Sequence, residues 1–200
     1  MIHPDTRLKW INPHIGYGVF ATAFIPMGTM VYVEDPLDIV IGPDSPLLHD
    51  PAYRHLISKY ACIDTQGNRV ISWDIAKYVN HCCHYNCLST GYGFEIAVRN
   101  IQAGEELTDD YGVFNLEDEL KLTCRYEDCR KVVRATDFDT YAGEWDAVLR
   151  RALQEFQKVP QPLLKYLNAQ TYDELMGYLT SGHGYKSIQA LRYVKHARQG

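Results

Sequence analysis

No apolar run in these 200 residues approaches the roughly 20 needed to cross a membrane as a helix. Arg7, Lys9 and Pro13 break up the N-terminal stretch, so no signal peptide is expected there. Repeats, heptads and low-complexity tracts are missing as well, which argues against solenoids and coiled coils. So is a large excess of either charge sign. The net charge of −5 with His neutral disfavours generic nucleic-acid binding and is compatible with a basic peptide partner. With 46% hydrophobic residues the chain can bury a core without disulfide staples, so its six Cys are expected as thiols or metal ligands. The expectation is a soluble intracellular protein with no membrane or direct nucleic-acid partner. Whether it works in cytoplasm, nucleus or another cell is open.

What is present changes character along the chain. Residues 1–115 read as a β-rich body, with short apolar runs broken by Gly, Pro, Asn and Asp. GYGVFATAF, MVYV, DIVI, NRVIS and FEIAV are the strand expectations. Asp50 before Pro51 predicts an N-cap and a short helix through about Lys59. Residues 116–135 form a Cys-bearing connector, and 136–200 a helical extension. There Trp145, Val148, Leu149, Ala152, Leu153 and Phe156 follow the spacing of an amphipathic helix. Thr171 and Glu174 predict a capping box for a helix through about Leu179. Ser187 is expected to cap a last, basic helix carrying Lys195 and Arg198.

Four clusters carry chemistry, each with a plainer reading. In IGYGVFA, residues 15–21, two glycines flank Tyr17 and allow a ligand close to the backbone, or simply make a hairpin turn. The third Gly of a dinucleotide fingerprint is absent. In YVNHCCHYNC, residues 78–87, a metal set would draw on His81, Cys82, Cys83, His84 and Cys87. Adjacent residues of an extended segment point to opposite sides, so two or three at most reach one ion. A Cys–His nucleophile and a polar turn with buried thiols are the alternatives. In AGEELTDDYGVF, residues 103–114, Asp109 and Asp110 read as an acid/base pair or as a solvated acidic turn. Cys124 and Cys129 have a spacing found in zinc pairs, but two Cys do not close a site.

Taken in order, these segments resemble the SET-domain protein-lysine methyltransferases. IGYGVFATAFIPMGTMV looks like the family's opening G-x-G, strand, I-x-x-G and next strand. AKYVNHCCHYN is similar to A-R-F-I-N-H-S-C-x-P-N, and FEIAVRNIQAGEELTDDYG to the closing strand and I-x-x-G-E-E-L-T-x-D-Y-G. TCRYEDCR resembles the end of the post-SET C-x-C-x4-C-R element. The match spans roughly residues 10–130. It implies a mainly β SET fold of small sheets with a knot-like threading, followed here by the helical extension. It implies S-adenosyl-L-methionine entering one side of a channel and a substrate lysine, on a histone or another protein, entering the other.

By position, the resemblance makes Tyr111 the catalytic tyrosine. Gly16, Tyr17, Gly18, Lys77, Tyr78, Asn80 and His81 become cofactor-binding residues, and Asn86 a threading anchor. Residues 42–60 fall where the family places a wall of the substrate groove. Asp109 falls in the substrate channel at the position linked to product specificity, usually Tyr or Phe; an Asp facing the channel would oppose lysine deprotonation, so either it points away or product specificity is unusual. Glu34 and Asp35 stand where the family often has Glu-Tyr, with Tyr32 out of register. A zinc site would use Cys83, Cys124 and Cys129, but Leu122 replaces the fourth ligand, leaving Cys82, Cys87 or His84 as substitutes. CRKVVRATDF resembles the helical extension of some small bacterial SET proteins, and a homodimer through these helices is one expectation. The rival functions are a catalytically silent SET module that binds protein and a Cys/His metal-binding protein.

Overall fold

The computed structural model describes residues 1–122, 124 and 126–194. In chain order the body comprises β1 (Thr6–Asn12), β2 (Gly16–Ala21), β3 (Met30–Val33), β4 (Ile39–Ile41), α1 (Pro51–Tyr60), β5 (Cys62–Ile63) and β6 (Arg69–Ile71). It continues through β7 (Asn80–His81), β8 (Cys87–Ser89), β9 (Phe94–Ala97) and β10 (Thr108–Asp109). The remainder holds β11 (Leu120–Lys121), β12 (Val132–Val133), α2 (Asp137–Leu153) and α3 (Ala169–Ser181). Each expected strand run contains one of these strands.

The strands make small separate sheets. β1 and β2 form an antiparallel hairpin with Trp10 opposite Tyr17, turned where Asn12 Oδ1 accepts the His14 and Ile15 N–H groups at 2.9 and 3.0 Å. β3-β9-β8 and β4-β6-β5 are antiparallel three-stranded sheets, and β11 pairs antiparallel with β12. The exception is β7 with β10, a parallel pair. The chain between them returns through the β8–β9 hairpin rather than a crossover helix.

Asp50 caps α1 as expected, its Oδ1 accepting the Ala52 N–H at 2.9 Å with Pro51 in the first turn. Within α2 the stripe of Trp145, Leu149, Ala152 and Leu153 is buried against Met30, Leu88, Phe94 and Ile96 of the β3-β9-β8 sheet. The helical third therefore shares one core with the body. The apolar face that a dimer through these helices would use is already covered within the chain.

Two helix expectations are corrected. α3 starts earlier than read: Asn168 is its N-cap, accepting the Thr171 N–H at 2.9 Å, while Glu174 bonds Gln170 and Lys186 rather than closing a capping box. Ser187 does act as a cap, but of a single 3₁₀ turn, Ile188–Leu191. Lys195 and Arg198 lie outside the described residues.

Candidate active site

The parallel pair sets Asn80 opposite Thr108 and His81 opposite Asp109. Asn86 clamps it. This fully buried side chain donates to the Glu106 carbonyl at 2.8 Å and accepts the Thr108 N–H at 2.8 Å. Its own N–H donates to the Thr108 carbonyl at 3.1 Å, and its carbonyl accepts from Val98 at 2.9 Å. Backbone and side-chain groups of a buried Asn are thus paired, which holds the 80s loop against residues 106–108.

Above this clamp opens a cleft of about 1840 Å³. Gly16 and Tyr17 line it from the β1–β2 turn, and Lys77, Tyr78, Val79 and Asn80 line it from the segment leading into β7. Gly16 has φ +86°, a backbone region that only glycine enters freely. Gly18 is needed for a different reason. A Cβ there would sit 2.5 Å from Glu106 Oε1, 2.7 Å from Ile11 Cδ1 and 3.0 Å from Asn80 Nδ2. Across that gap Asn80 Nδ2 donates to the Tyr17 carbonyl at 3.0 Å and to Glu106 Oε1 at 2.8 Å. The turn and the threaded strand are thereby tied into one wall. Lys77 reaches this wall with its ammonium on the Ser72, Trp73 and Asp74 carbonyls, the last at 2.6 Å.

Tyr111 lies on the same cleft, and two contacts fix it. Its hydroxyl donates to the Val79 carbonyl at 2.7 Å, and its N–H donates to His81 Nδ1 at 3.1 Å. The second contact leaves the ring proton on Nε2, which faces Cys83 Sγ at 3.4 Å. Burial lowers the His81 pKa to about 4 against the opposing pull of Asp110, so the ring is neutral at physiological pH. Burial raises the Tyr111 pKa, with Asp109, Glu106 and Glu95 adding to it, so the phenol keeps its proton. The His81 side chain is turned inward and positions Tyr111; it does not line the cleft.

Asp109 is also turned away. It is fully buried and is not among the residues lining the cleft, correcting its place in the substrate channel. One carboxylate oxygen accepts the Asp110 N–H at 2.6 Å, and Ser89 lies beside the carboxyl. Burial, then the neighbouring Glu95, pushes its pKa well above the ordinary carboxylate range. Asp110 is equally structural, accepting the Gly112 N–H at 2.9 Å and the Trp145 Nε1–H at 3.2 Å.

The sequence reading passed over two residues. Glu95 lines the cleft from the middle of β9; its signal was a carboxylate inside the apolar run FEIAV. Arg130, read only as the end of a motif, forks onto both Asp110 oxygens and pairs with Asp137 at 3.2 Å, joining the connector to α2.

The predicted thiols gather, but no closed metal site is seen among the described residues. Cys83 and Cys129 touch, Sγ to Sγ 3.2 Å, and Cys129 also bonds the Cys124 thiol, yet among the described residues no group of three His, Cys, Asp or Glu side chains is placed to hold an ion. Each substitute for the missing fourth ligand is engaged elsewhere. His84 pairs with Asp128 at 2.9 Å and stacks on Tyr126; Cys87 is buried against Asn86; Cys82 Sγ accepts the His84 N–H at 3.3 Å. Leu122 uses only its backbone, donating to the Lys131 carbonyl. The described residues therefore close no metal site as placed, and no chemistry is assigned to a metal.

Residues 16–112 match the family model described as the SET domain. The histone-lysine N-methyltransferase ATX2 of Arabidopsis thaliana is 29% identical over 134 residues, which is 61% of this chain and 12% of that protein. The histone H3-lysine(4) N-trimethyltransferase ATX1 of the same plant is 40% identical over 70 residues, 32% of this chain and 7% of that protein. The chain thus spans only a small part of these relatives. Among solved structures, the methyltransferase domain of human histone-lysine N-methyltransferase SETMAR aligns with a TM-score of 0.44 at 18% identity, covering 67% of this chain and 58% of that one. Among the described residues no helix is long and apolar enough to cross a membrane.

Proposed function

Because this chain is a SET-domain protein related to histone-lysine methyltransferases, we propose that it transfers a methyl group from S-adenosylmethionine to a lysine side chain of a protein substrate. Its fold is the SET fold of small antiparallel sheets followed by C-terminal helices. The observation that carries the activity is Tyr111, held on the cleft by the Val79 carbonyl at 2.7 Å and by His81 at 3.1 Å.

S-adenosylmethionine supplies, when bound, a methyl group already activated on a sulfonium. The chain's task is therefore alignment and a suitable electrostatic surround. The cleft wall fits such a group. The Gly16 turn, the Gly18 gap and the Tyr17 carbonyl make a close-approach surface, with Tyr78 and Asn80 beside it. Lys77, held by its carbonyls, places a positive charge on that wall for a carboxylate. His81 contributes through Tyr111, with its ring behind the wall. The Tyr111 and Val79 oxygens stand together at the cleft and offer weak C–H···O contacts to a polarised methyl. With its proton directed at Val79, the Tyr111 oxygen presents lone pairs to the cleft.

The incoming amine must be neutral, although a lysine ordinarily titrates near 10.4. A desolvated cleft lowers that value. The inward turn of Asp109 removes one of the two features that favoured a catalytically silent module, the other being Leu122 in place of a metal ligand. Calorimetry with S-adenosylmethionine is expected to show one site per chain. Tyr111→Phe is expected to keep that site while transfer falls by roughly 100-fold or more, the scale for loss of one transition-state contact. Full activity in Tyr111→Phe overturns the reading.

A further inference from the structure

The proposed methyl transfer leaves one proton without a destination, and the cleft holds a carboxylate with no assigned task. On β9 the flanking Phe94 and Ile96 are buried in the core, while Glu95 points to the other side and lines the cleft that also holds Tyr111 and Val79. Its ladder partners are Tyr32 on β3 and Ser89 on β8, and both line the same cleft. The family resemblance assigned Glu95 no role.

The groups around Glu95 come from every neighbouring element. They are Glu34 after β3, Asp109 on β10, the phenols of Tyr32 and Tyr111, and the thiols of Cys62 and Cys87. The single cation in this set is the Met1 ammonium, which is already paired with Asp35 at 2.8 Å. Among the described residues no side chain forms a salt bridge with Glu95. It is a carboxylate with acidic and apolar surroundings, facing a cleft that a cationic side chain must enter.

We propose that Glu95 is the proton acceptor for the substrate lysine. This rests on the methyltransferase reading and deepens it. An N–H bond of the lysine ammonium breaks and an O–H bond forms on Glu95, leaving the nitrogen with a lone pair. That pair forms the N–C bond to the methyl carbon as the C–S bond breaks, its electrons staying on sulfur. The product methylammonium keeps the positive charge, and Glu95 returns its proton to solvent through the open cleft.

An ordinary carboxylate is too weak a base for this. Burial, reinforced by Glu34 and opposed by Met1, brings the Glu95 pKa to about 7. The same desolvation lowers the ammonium's pKa, so a neutral acid beside a neutral amine becomes competitive with two buried charges. Asp109, which burial and Glu95 push upward, is turned away from the cleft, so Glu95 is the member of that pair that faces the incoming amine.

The test is the pH dependence of transfer from S-adenosylmethionine to a lysine peptide, taken from a substrate identified in a labelled lysate, between pH 5.5 and 9.5. Wild type should show kcat/KM rising through an acidic limb near pH 7. Glu95→Gln should lose that limb and fall by roughly 100-fold at pH 7, with the deficit shrinking toward pH 9.5 as solvent removes the proton. Glu95→Asp should keep the limb at a reduced rate. Cofactor binding by calorimetry should be unchanged in both, which also reports folding. A carboxyl carbon resonance titrating near pH 7 in the wild type, missing in Glu95→Gln, is a readout independent of turnover. A Glu95→Gln profile parallel to wild type, or no such resonance, overturns the proposal and leaves the methyltransferase reading intact. A wild type that binds cofactor yet transfers nothing at any pH overturns both.

Discussion

Replacing Arg130 with Ala tests what fastens the connector to α2 and to the turn before Tyr111. The guanidinium forks onto Asp110 and reaches Asp137 at 3.2 Å, while Trp145 donates to Asp110 at 3.2 Å. Side-chain exposures of 16% for Arg130, 3% for Asp110 and 7% for Asp137 place the cluster inside the protein. Both carboxylates therefore lose their cation together, without water to replace it. Breaking a buried pair from one side costs about 3–5 kcal/mol, against about 0–1 kcal/mol for an exposed one. With a urea dependence of roughly 2 kcal/mol/M, the midpoint should fall by about 2 M. Arg130→Lys should recover only part of this, because an ammonium cannot reproduce the fork. The assay is urea unfolding at pH 7 followed by circular dichroism. Since Asp110 also accepts the Gly112 N–H beside Tyr111, methyl transfer should fall with stability. A loss below about 1 kcal/mol would refute the reasoning, since that is the worth of a surface contact.

Three further outcomes follow from named distances and shifts. Gly18→Ala drives a methyl into Glu106, Ile11 and Asn80 at 2.5–3.0 Å, so it should cost about 1–3 kcal/mol of stability and weaken S-adenosylmethionine binding about tenfold or more by calorimetry. Glu95 binds its proton more tightly folded, near pH 7, than unfolded, so its contribution to stability falls as pH rises from about 4.5 to 7. Glu95→Gln should then gain on wild type across that window, by at most about 3 kcal/mol in unfolding experiments at each pH; a constant difference contradicts the shift. Zinc analysis of the purified protein should give a stoichiometry near zero and chelation should leave the unfolding midpoint in place, whereas one zinc per chain would contradict the thiol geometry.

The legible parts of the molecule were those written in local patterns. The Gly-Tyr-Gly turn, the five strand runs, the Asp50 cap and the α2 stripe all depend on neighbours in sequence, and all stand where the pattern put them. The link between Asn80 and Tyr111 also came through, because ordered motifs carried the threading that no periodicity encodes. What failed depended on competition between equivalent signals. Thr171 and Asn168 are both good caps, and the one used is Asn168, which accepts the Thr171 N–H itself. The orientation of Asp109 is set by the register of a two-residue parallel pair, which adjacent acidic residues cannot reveal. Arg130 looked like the end of a cysteine motif, yet its partners lie on the turn before Tyr111 and on α2, 20 residues back in one case.

The central claim is methyl transfer to lysine, and the direct measurement is incubation of the protein with methyl-labelled S-adenosylmethionine and whole-cell lysate, followed by identification of the labelled side chains by mass spectrometry. The account predicts label on lysine Nζ atoms, lost when Tyr111→Phe replaces the wild type. Bound cofactor with no label on any protein lysine, or label that persists unchanged in Tyr111→Phe, would contradict it.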